Sequence, residues 1–295
     1  MEFQWFFTKD TPQQIKTFLK EQGVSKGLLA KIKFQGGAIT VNQQQQNVLH
    51  KLELGDDLRI VIPDEEGHET VVPWEQPLDI LFEDAHFLAI NKPAGVASIP
   101  SQYHPFETVA NQVKAYYLAR GYRDQVVHVV TRLDRDTSGV MLFARHGFAH
   151  ARIDQQLRQK KVIKIYHALV SGDLDVLVDH ETIIRPIGRD YTSLLKRMVT
   201  EEGQYAETEY WLQQVTPQMA LVKIQLHTGR THQIRVHFES LGCPLLGDEM
   251  YHGALGMGIE RQALHCSNLS FIHPFTHEEI QITAPLAGDM QCLIE

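Results

Sequence analysis

The segment Arg132-Leu133-Asp134-Arg135-Asp136-Thr137-Ser138-Gly139 sets two carboxylates among two guanidiniums, with Ser and Gly to bend the chain. A carboxylate held near positive charge stays ionised and can serve as a base or a nucleophile. Val126-Val127-His128-Val129-Val130 precedes the segment and Val140-Met141-Leu142-Phe143-Ala144 follows it. Both runs are short, β-branched or aromatic, and bounded by turn residues, so both read as strands. A charged loop between two buried strands puts its carboxylates at the edge of a core, where desolvation tunes them. A surface hairpin with ordinary Arg/Asp ion pairs has the same charge pattern. Charge alone does not choose between the two.

Two further stretches carry chemistry. In Lys164-Ile165-Tyr166-His167-Ala168-Leu169-Val170, a strand with period 2 puts Lys164, Tyr166 and Ala168 on one face. Tyr166 beside a cation can stack a base or simply pack in the core. In His227-Thr228-Gly229-Arg230-Thr231-His232-Gln233-Ile234-Arg235-Val236-His237-Phe238, a helix is expected from about Thr231, with Ile234, Phe238 and Leu241 inward and Gly242 as its stop. Arg230 falls at the positive end of that helix, a natural anion site. Arg235 lies one turn in, on the side of His232. The five-residue spacing of His227, His232 and His237 is not a helical i, i+4 pair, and no carboxylate accompanies them in the segment. No metal is therefore expected.

The elements that position these residues follow from pattern. Thr11-Pro12-Gln13-Gln14 reads as a capped helix start, with Ile15, Phe18 and Leu19 as its apolar stripe and Gly23 as its end. Ser25 caps a second helix with Leu28, Leu29 and Ile32 inward and Lys26, Lys31 and Lys33 outward. Gly36-Gly37 turns into a strand over 38–42, and Leu58-Arg59-Ile60-Val61-Ile62 is another. Pro63 to Pro77 is acidic and poor in apolar residues, and residues 64–78 read as a linker. Beyond it come two apolar strands ending in Asn91-Lys92-Pro93-Ala94-Gly95, a helix from about Thr108 to Arg120, a helix from about Phe148 to Lys160, and clean alternation over 206–212 and 220–226. This predicts an α+β chain with a mixed, mainly antiparallel sheet and flanking helices, behind a small N-terminal α/β module. The domains are 1–63, the linker 64–78, and 79–295.

Bulk properties narrow the class. The chain has 295 residues, 43% of them hydrophobic and 22% charged, which suits a soluble globular protein. No stretch approaches the ~20 apolar residues that span a bilayer, and Met1 to Phe7 carries no positive leader region. Cys243, Cys266 and Cys292 are odd in number and show no CxxC spacing, which favours a reducing, cytoplasmic setting. Net charge is −8, a weak argument against a generic polyanion binder. Residues 1–63 nonetheless hold eight Lys/Arg against six Asp/Glu.

The N-terminal residues Ser25, Lys26, Leu29, Ile32, Gly36, Gly37, Val41, Asn42, Gly55 and Asp56 resemble the small RNA-binding module first seen in ribosomal protein S-four, although Gln43 to Gln46 stand where a Gly is common. Downstream, Asn91 to Gly95, Arg132 to Gly139, Lys164-Ile165-Tyr166, Gly229 to His237, Gly247-Asp248, Leu264-His265 and Phe271-Ile272-His273-Pro274 occur in order. Together they resemble the RluA-type family of RNA pseudouridine synthases. Thr131 stands where many members carry His, so the bracing of that loop is expected to differ.

The resemblance implies the fold of that family, with the site in a cleft across the sheet and Asp134 on a loop at its floor. It implies Asp134 as the catalytic aspartate, Tyr166 as the ring stacked on the target base, Arg235 as the partner of the catalytic carboxylate, and Arg132 as the side chain that enters the RNA when the uridine flips out. Asp136 is left a bracing role. No cofactor is implied, because bonds are exchanged within one nucleotide. RNA contact is expected from Lys26, Lys31, Lys33, Lys164, Arg230, Arg189, Lys196, Arg197 and the 152–164 stretch. The implied partner is RNA, ribosomal more than transfer RNA, and a monomer is the default expectation. The competing readings are a non-catalytic RNA-binding assembly factor and a carboxylate glycosidase or metal hydrolase.

Overall fold

The computed structural model describes residues 1–65 and 71–295. Residues 66–70 of the expected linker lie outside the described residues.

The N-terminal part runs β1 (Glu2–Phe6), β2 (Gln13–Gln14), α1 (Ile15–Glu21), α2 (Lys26–Phe34), β3 (Ala38–Val41), β4 (Gln44–Gln45), β5 (Lys51–Leu52) and β6 (Asp57–Val61). Its main sheet has the order β1-β6-β3-β4. Ile15, Phe18, Leu19 and Ile32 bury against Leu58 and Ile60 of that sheet. The Ser25 cap forms, with its hydroxyl accepting Leu28 N–H at 3.1 Å. The Thr11 cap does not. Gln13 and Gln14 pair with Leu52 and Lys51, so strand pairing claims the expected first turn and the helix begins at Ile15. Met1 to Phe7, read only for its lack of a leader, supplies an edge strand. Where Gly is common after Asn42, the chain turns on Asn42 and Gln43 at φ 52° and 69°, both positive as a type I′ hairpin requires. Asn42 holds the turn by donating to Asp56 Oδ1 at 2.8 Å and accepting Asp57 N–H at 3.0 Å.

The larger part runs β7 (Ile80–Glu83), β8 (Phe87–Lys92), α3 (Val109–Ala119), β9 (His128–Val129), β10 (Ser138–Ala144), α4 (Gly147–Arg158), β11 (Ile163–Val170), β12 (His180–Ile184), β13 (Ile187–Arg189), β14 (Arg197–Val199), β15 (Glu207–Val215), β16 (Ala220–Leu226), α5 (Gln233–Ser240), β17 (Leu264–Ile272), β18 (Glu279–Thr283) and α6 (Gly288–Ile294). Its sheet follows the order β12-β15-β16-β11-β17-β10-β8-β7, with β18 beside β17 and β9 beside β10. All pairs are antiparallel except β10 with β17, so the sheet is mixed and mainly antiparallel. The expected strand over 126–130 shrinks to the two residues of β9.

Strands β8 and β10 bury both faces, which is why they read as continuous apolar runs. Leu88, Ile90, Met141 and Phe143 face α3 through Val109, Val113 and Tyr117. Phe87, Ala89, Val140 and Leu142 face the other way, with Ala149 and Ile153 of α4 and Ile234 and Phe238 of α5. The close parallel approach of β10 to β17 depends on Gly139, at φ 109°, where a Cβ would sit 2.2 Å from the Cys266 carbonyl oxygen. The Gly that ends the charged motif is thus a contact requirement of the sheet.

The two parts meet on α4. Phe3 lies edge-on to Phe148 at 5.0 Å and 5.3 Å from Phe275. Arg152 packs against Gly23, where a side chain would meet its Nη1 at 2.5 Å, so it serves this junction. Glu65 accepts from Gly147 N–H at 2.9 Å, lies 2.6 Å from His128 Nε2 and 3.6 Å from Lys31 Nζ. Burial works to raise the pKa of Glu65, but the contact with His128, then the Gly147 amide and Lys31, hold it at about 2.

Candidate active site

Asp134 sits on the loop between β9 and β10, and the loop is fastened residue by residue. Thr131 Oγ1 accepts Leu142 N–H at 2.9 Å, which is how this chain braces the position where many relatives of the motif carry His. Leu133 is buried and exchanges two hydrogen bonds with Ser98 Oγ, at 2.6 and 3.1 Å. Arg261 donates to Asp136 O at 3.0 Å. Alternation along 131–134 therefore turns Thr131 and Leu133 inward and leaves Arg132 exposed and Asp134 half-buried at the cleft. The Asp136 carboxylate pairs with its neighbour Arg135 at 3.0 and 3.1 Å.

Lys92 supports the same loop from beneath. Its side chain is fully buried and donates to Pro93 O, Val96 O and Arg135 O at 2.8, 2.7 and 2.7 Å. Three carbonyls match the three N–H bonds of an ammonium. Burial pulls its pKa down to about 7 against the opposing pull of Asp136 and Asp134. Lys92→Met is expected to lower stability by about 1–3 kcal/mol, since the carbonyls lose their donors while a buried charge is relieved. Urea unfolding checks this, and an unchanged midpoint would show that the loop does not depend on Lys92.

Asp134 lines a cleft of about 650 Å³ together with Tyr166, Lys164, Arg230, His232 and Arg235. Tyr166 extends from β11 on the α5 side of the sheet and is 5% exposed. Burial pushes its phenol well above the ordinary value, with Cys266 and Asp134 adding to the shift. Lys164 shares that face, and burial lowers its pKa. Among the described residues no carboxylate pairs with it. A second concavity, of about 500 Å³, lies behind the sheet around His167 and Lys223 and has no carboxylate in its lining.

Helix α5 begins at Gln233, two residues later than expected, because His232 takes the left-handed conformation at φ 58°. Arg235 points from its first turn into the cleft floor, 3.5 Å from Asp134 Oδ2. Its main partner is another residue. Asp248 receives Nε at 2.6 Å and Nη2 at 2.8 Å, a two-pronged ion pair with both side chains buried. Burial works against the charge on Arg235, but Asp248 outweighs it and raises the pKa. The expected pairing of Arg235 with Asp134 is present through Nη1, and the structure adds Asp248 as the main anchor of the guanidinium. Asp248 was visible in the sequence as part of Gly247-Asp248, yet no local signal tied it to Arg235.

Among the described residues the polar contacts of the Asp134 side chain fall on Oδ2, from Arg235 Nη1 at 3.5 Å and His232 Nε2 at 3.9 Å. Oδ1 has no hydrogen-bond partner among the described residues. The carboxylate is held from one side and open on the other. The three histidines of the motif diverge. His227 meets Glu209 at 2.8 Å, His232 faces Asp134, and His237 meets Thr208 and Arg185 O at 2.9 and 3.0 Å. Carboxylates do accompany two of them, from distant segments, but not in one cluster.

The expected cationic residues spread outward from the cleft. Arg230 stands at its rim and donates to Tyr205 O at 3.0 Å. Arg189 and Arg197 lie on the β13–β14 hairpin, with Lys196 just before β14. On α2, Lys26 and Lys33 are exposed, whereas Lys31 leans toward Glu65.

Residues 86–240 match a family model described as RNA pseudouridylate synthase. The chain is 45% identical over 281 residues to an uncharacterized RNA pseudouridine synthase, YjbO, of Bacillus subtilis (strain 168), covering 95% of this chain and 98% of that one. It is 39% identical over 237 residues to ribosomal large subunit pseudouridine synthase D of Xanthomonas campestris pv. campestris, covering 75% of this chain and 70% of the other. Among solved structures, human RNA pseudouridylate synthase domain containing 4 superposes with a TM-score of 0.59 at 24% identity, over 73% of this chain and 91% of that chain, which shows a common fold.

Proposed function

The chain belongs to the RluA-type family of RNA pseudouridine synthases, which are isomerases, and from that premise we propose that it converts specific uridines of structured large-subunit ribosomal RNA to pseudouridine, with Asp134 as the catalytic group. The observation that carries this reading is the one-sided hold on Asp134. Arg235 and His232 face Oδ2, Oδ1 has no hydrogen-bond partner among the described residues, and Asp134 lines the cleft together with Tyr166. The reaction breaks the bond between uracil N1 and ribose C1′, turns the base, and joins C5 to C1′. A carboxylate serves it by attacking sugar or base, or by taking a ribose proton. Tyr166 supports the uracil while it is detached. Arg132, exposed at the cleft mouth, fills the place of the flipped nucleotide and offsets a flipping cost of a few kcal/mol. Bonds are exchanged within one nucleotide, so this reading calls for no cofactor.

Ribosomal RNA is favoured by the names of the relatives that carry a substrate and by the resemblance of residues 1–63 to an S-four-type module. Transfer RNA is the alternative substrate. In this reading Lys26, Lys33, Lys164 and Arg230 bind phosphate, Lys31 does so while shared with Glu65, and the enzyme acts as a cytoplasmic monomer. With about four phosphates neutralised, affinity for RNA is expected to fall on the order of 100-fold between 50 and 200 mM salt, measured by filter binding. A salt-independent affinity would remove the proposed footprint. The assignment itself is tested by mapping pseudouridines in ribosomal and transfer RNA from a strain lacking the gene. Sites lost from large-subunit RNA and restored by purified protein support it. Sites lost from transfer RNA alone move the substrate, and an unchanged map with an inert protein overturns the proposal.

A further inference from the structure

His232 holds a backbone conformation that non-glycine residues seldom adopt, at φ 58°. Its surroundings fix the ring. Nδ1 lies 2.9 Å from Tyr251 Oη, and the two rings meet nearly perpendicular at 5.6 Å. Tyr251 is buried, and its hydroxyl also accepts Arg197 N–H at 2.9 Å. A backbone N–H can only donate. Among the described residues the acceptor left for the hydroxyl proton is therefore His232 Nδ1. The neutral imidazole then carries its own proton on Nε2. That nitrogen faces the cleft 3.9 Å from Asp134 Oδ2, too far for a hydrogen bond. Burial, the larger influence, and the Arg235 charge lower the pKa of His232 against the pull of Asp134, which favours the neutral ring. The cleft thus contains an N–H donor with a fixed direction and no acceptor of its own.

We propose that His232 Nε2–H stabilises the negative charge that collects on the uracil while it is detached from the ribose. This rests on the pseudouridine reading of the site. When the C1′–N1 bond breaks, its electron pair leaves with the uracil and spreads over N1, O2 and O4. After the base turns, C5 supplies an electron pair to C1′ and forms the new bond. The C5 proton passes to water, and N1 takes a proton from water. His232 gives up no proton in this sequence and needs none returned. It acts as a neutral hydrogen-bond donor, aimed in advance at charge that exists only while the base is free. Arg235 gives Nε and Nη2 to Asp248 and turns Nη1 toward Asp134.

Single-turnover rates on RNA carrying uridine or 5-fluorouridine at the target position provide the test. Fluorine makes the uracil anion more stable, so the base needs less help to leave. His232→Ala is expected to slow the reaction of uridine by on the order of 10²–10³-fold, with RNA affinity preserved and the protein still folded at a somewhat lower melting temperature, because the buried Tyr251 hydroxyl loses its acceptor. The loss is expected to shrink at least about tenfold on 5-fluorouridine, read as consumption of the nucleotide. His232→Gln, which keeps an N–H near the same point, is expected to recover part of the rate on uridine. Equal losses on both nucleotides, or no recovery with Gln, would mean that His232 only shapes the site, and the inference falls. Wild-type protein that converts no uridine sinks the pseudouridine reading itself, whereas an active wild type with a fully active His232→Ala sinks only the role of His232.

Discussion

Asp134→Asn is expected to lower pseudouridine formation by at least about 10³-fold, within the range for loss of a positioned carboxylate base, while RNA binding and stability stay near wild type. The geometry gives the reason for each part. Asp134 lines the cleft with one carboxylate oxygen free of hydrogen bonds among the described residues, so an amide there removes charge and nucleophile from the site. Arg235 loses a contact at 3.5 Å but keeps its two-pronged grip on Asp248, so no buried cation is stranded. The loop is held by Thr131, Ser98 and Lys92 rather than by the Asp134 side chain. Tritium release from 5-tritiated uridine in RNA gives the rate, and filter binding gives the affinity. Activity retained in Asp134→Asn would end the assignment of this carboxylate, and lost activity with lost binding would show only that the cleft had been disrupted.

The second large effect lies where the motif itself gave no role. Asp248→Ala is expected to cost about 3–5 kcal/mol, because it leaves the buried Arg235 guanidinium without its main counter-charge. That corresponds to a fall in melting temperature of roughly 10 °C. Activity falls as well, since a released guanidinium can close on Asp134 and occupy the oxygen now open. Pairing the change with Arg235→Leu separates charge from packing. The double variant is expected to recover much of the stability and none of the activity, because an apolar replacement for a buried ion pair is often tolerated. Denaturant unfolding measures both. An unchanged midpoint in Asp248→Ala would show that Asp134 alone suffices to hold Arg235.

Much of the fold was legible because it follows from periodicity. The stripe Ile15/Phe18/Leu19 is buried as read, and Tyr166 and Lys164 do share a face. Local reading failed where distant backbone intervened. Pairing with Lys51 and Leu52 took Gln13 and Gln14 out of the expected helix. The left-handed turn at His232, tied to Tyr251, delayed the start of α5. Arg152 looked like one more surface cation on a basic helix, yet it covers Gly23 at the junction with the N-terminal part.

The amino-acid sequence by itself determined the family, the mainly antiparallel α+β architecture and the presence of Asp134, Tyr166 and Arg235 in one site, because ordered motifs and alternating burial are properties of the chain read locally. Only the tertiary structure decided who holds whom. Asp248 rather than Asp134 is the chief partner of Arg235, Lys92 is a buried brace, and His232 is tied through Nδ1 to Tyr251. Those facts depend on distances between segments up to about a hundred residues apart, and the direction of a hydrogen bond across such a gap leaves no trace in residue spacing.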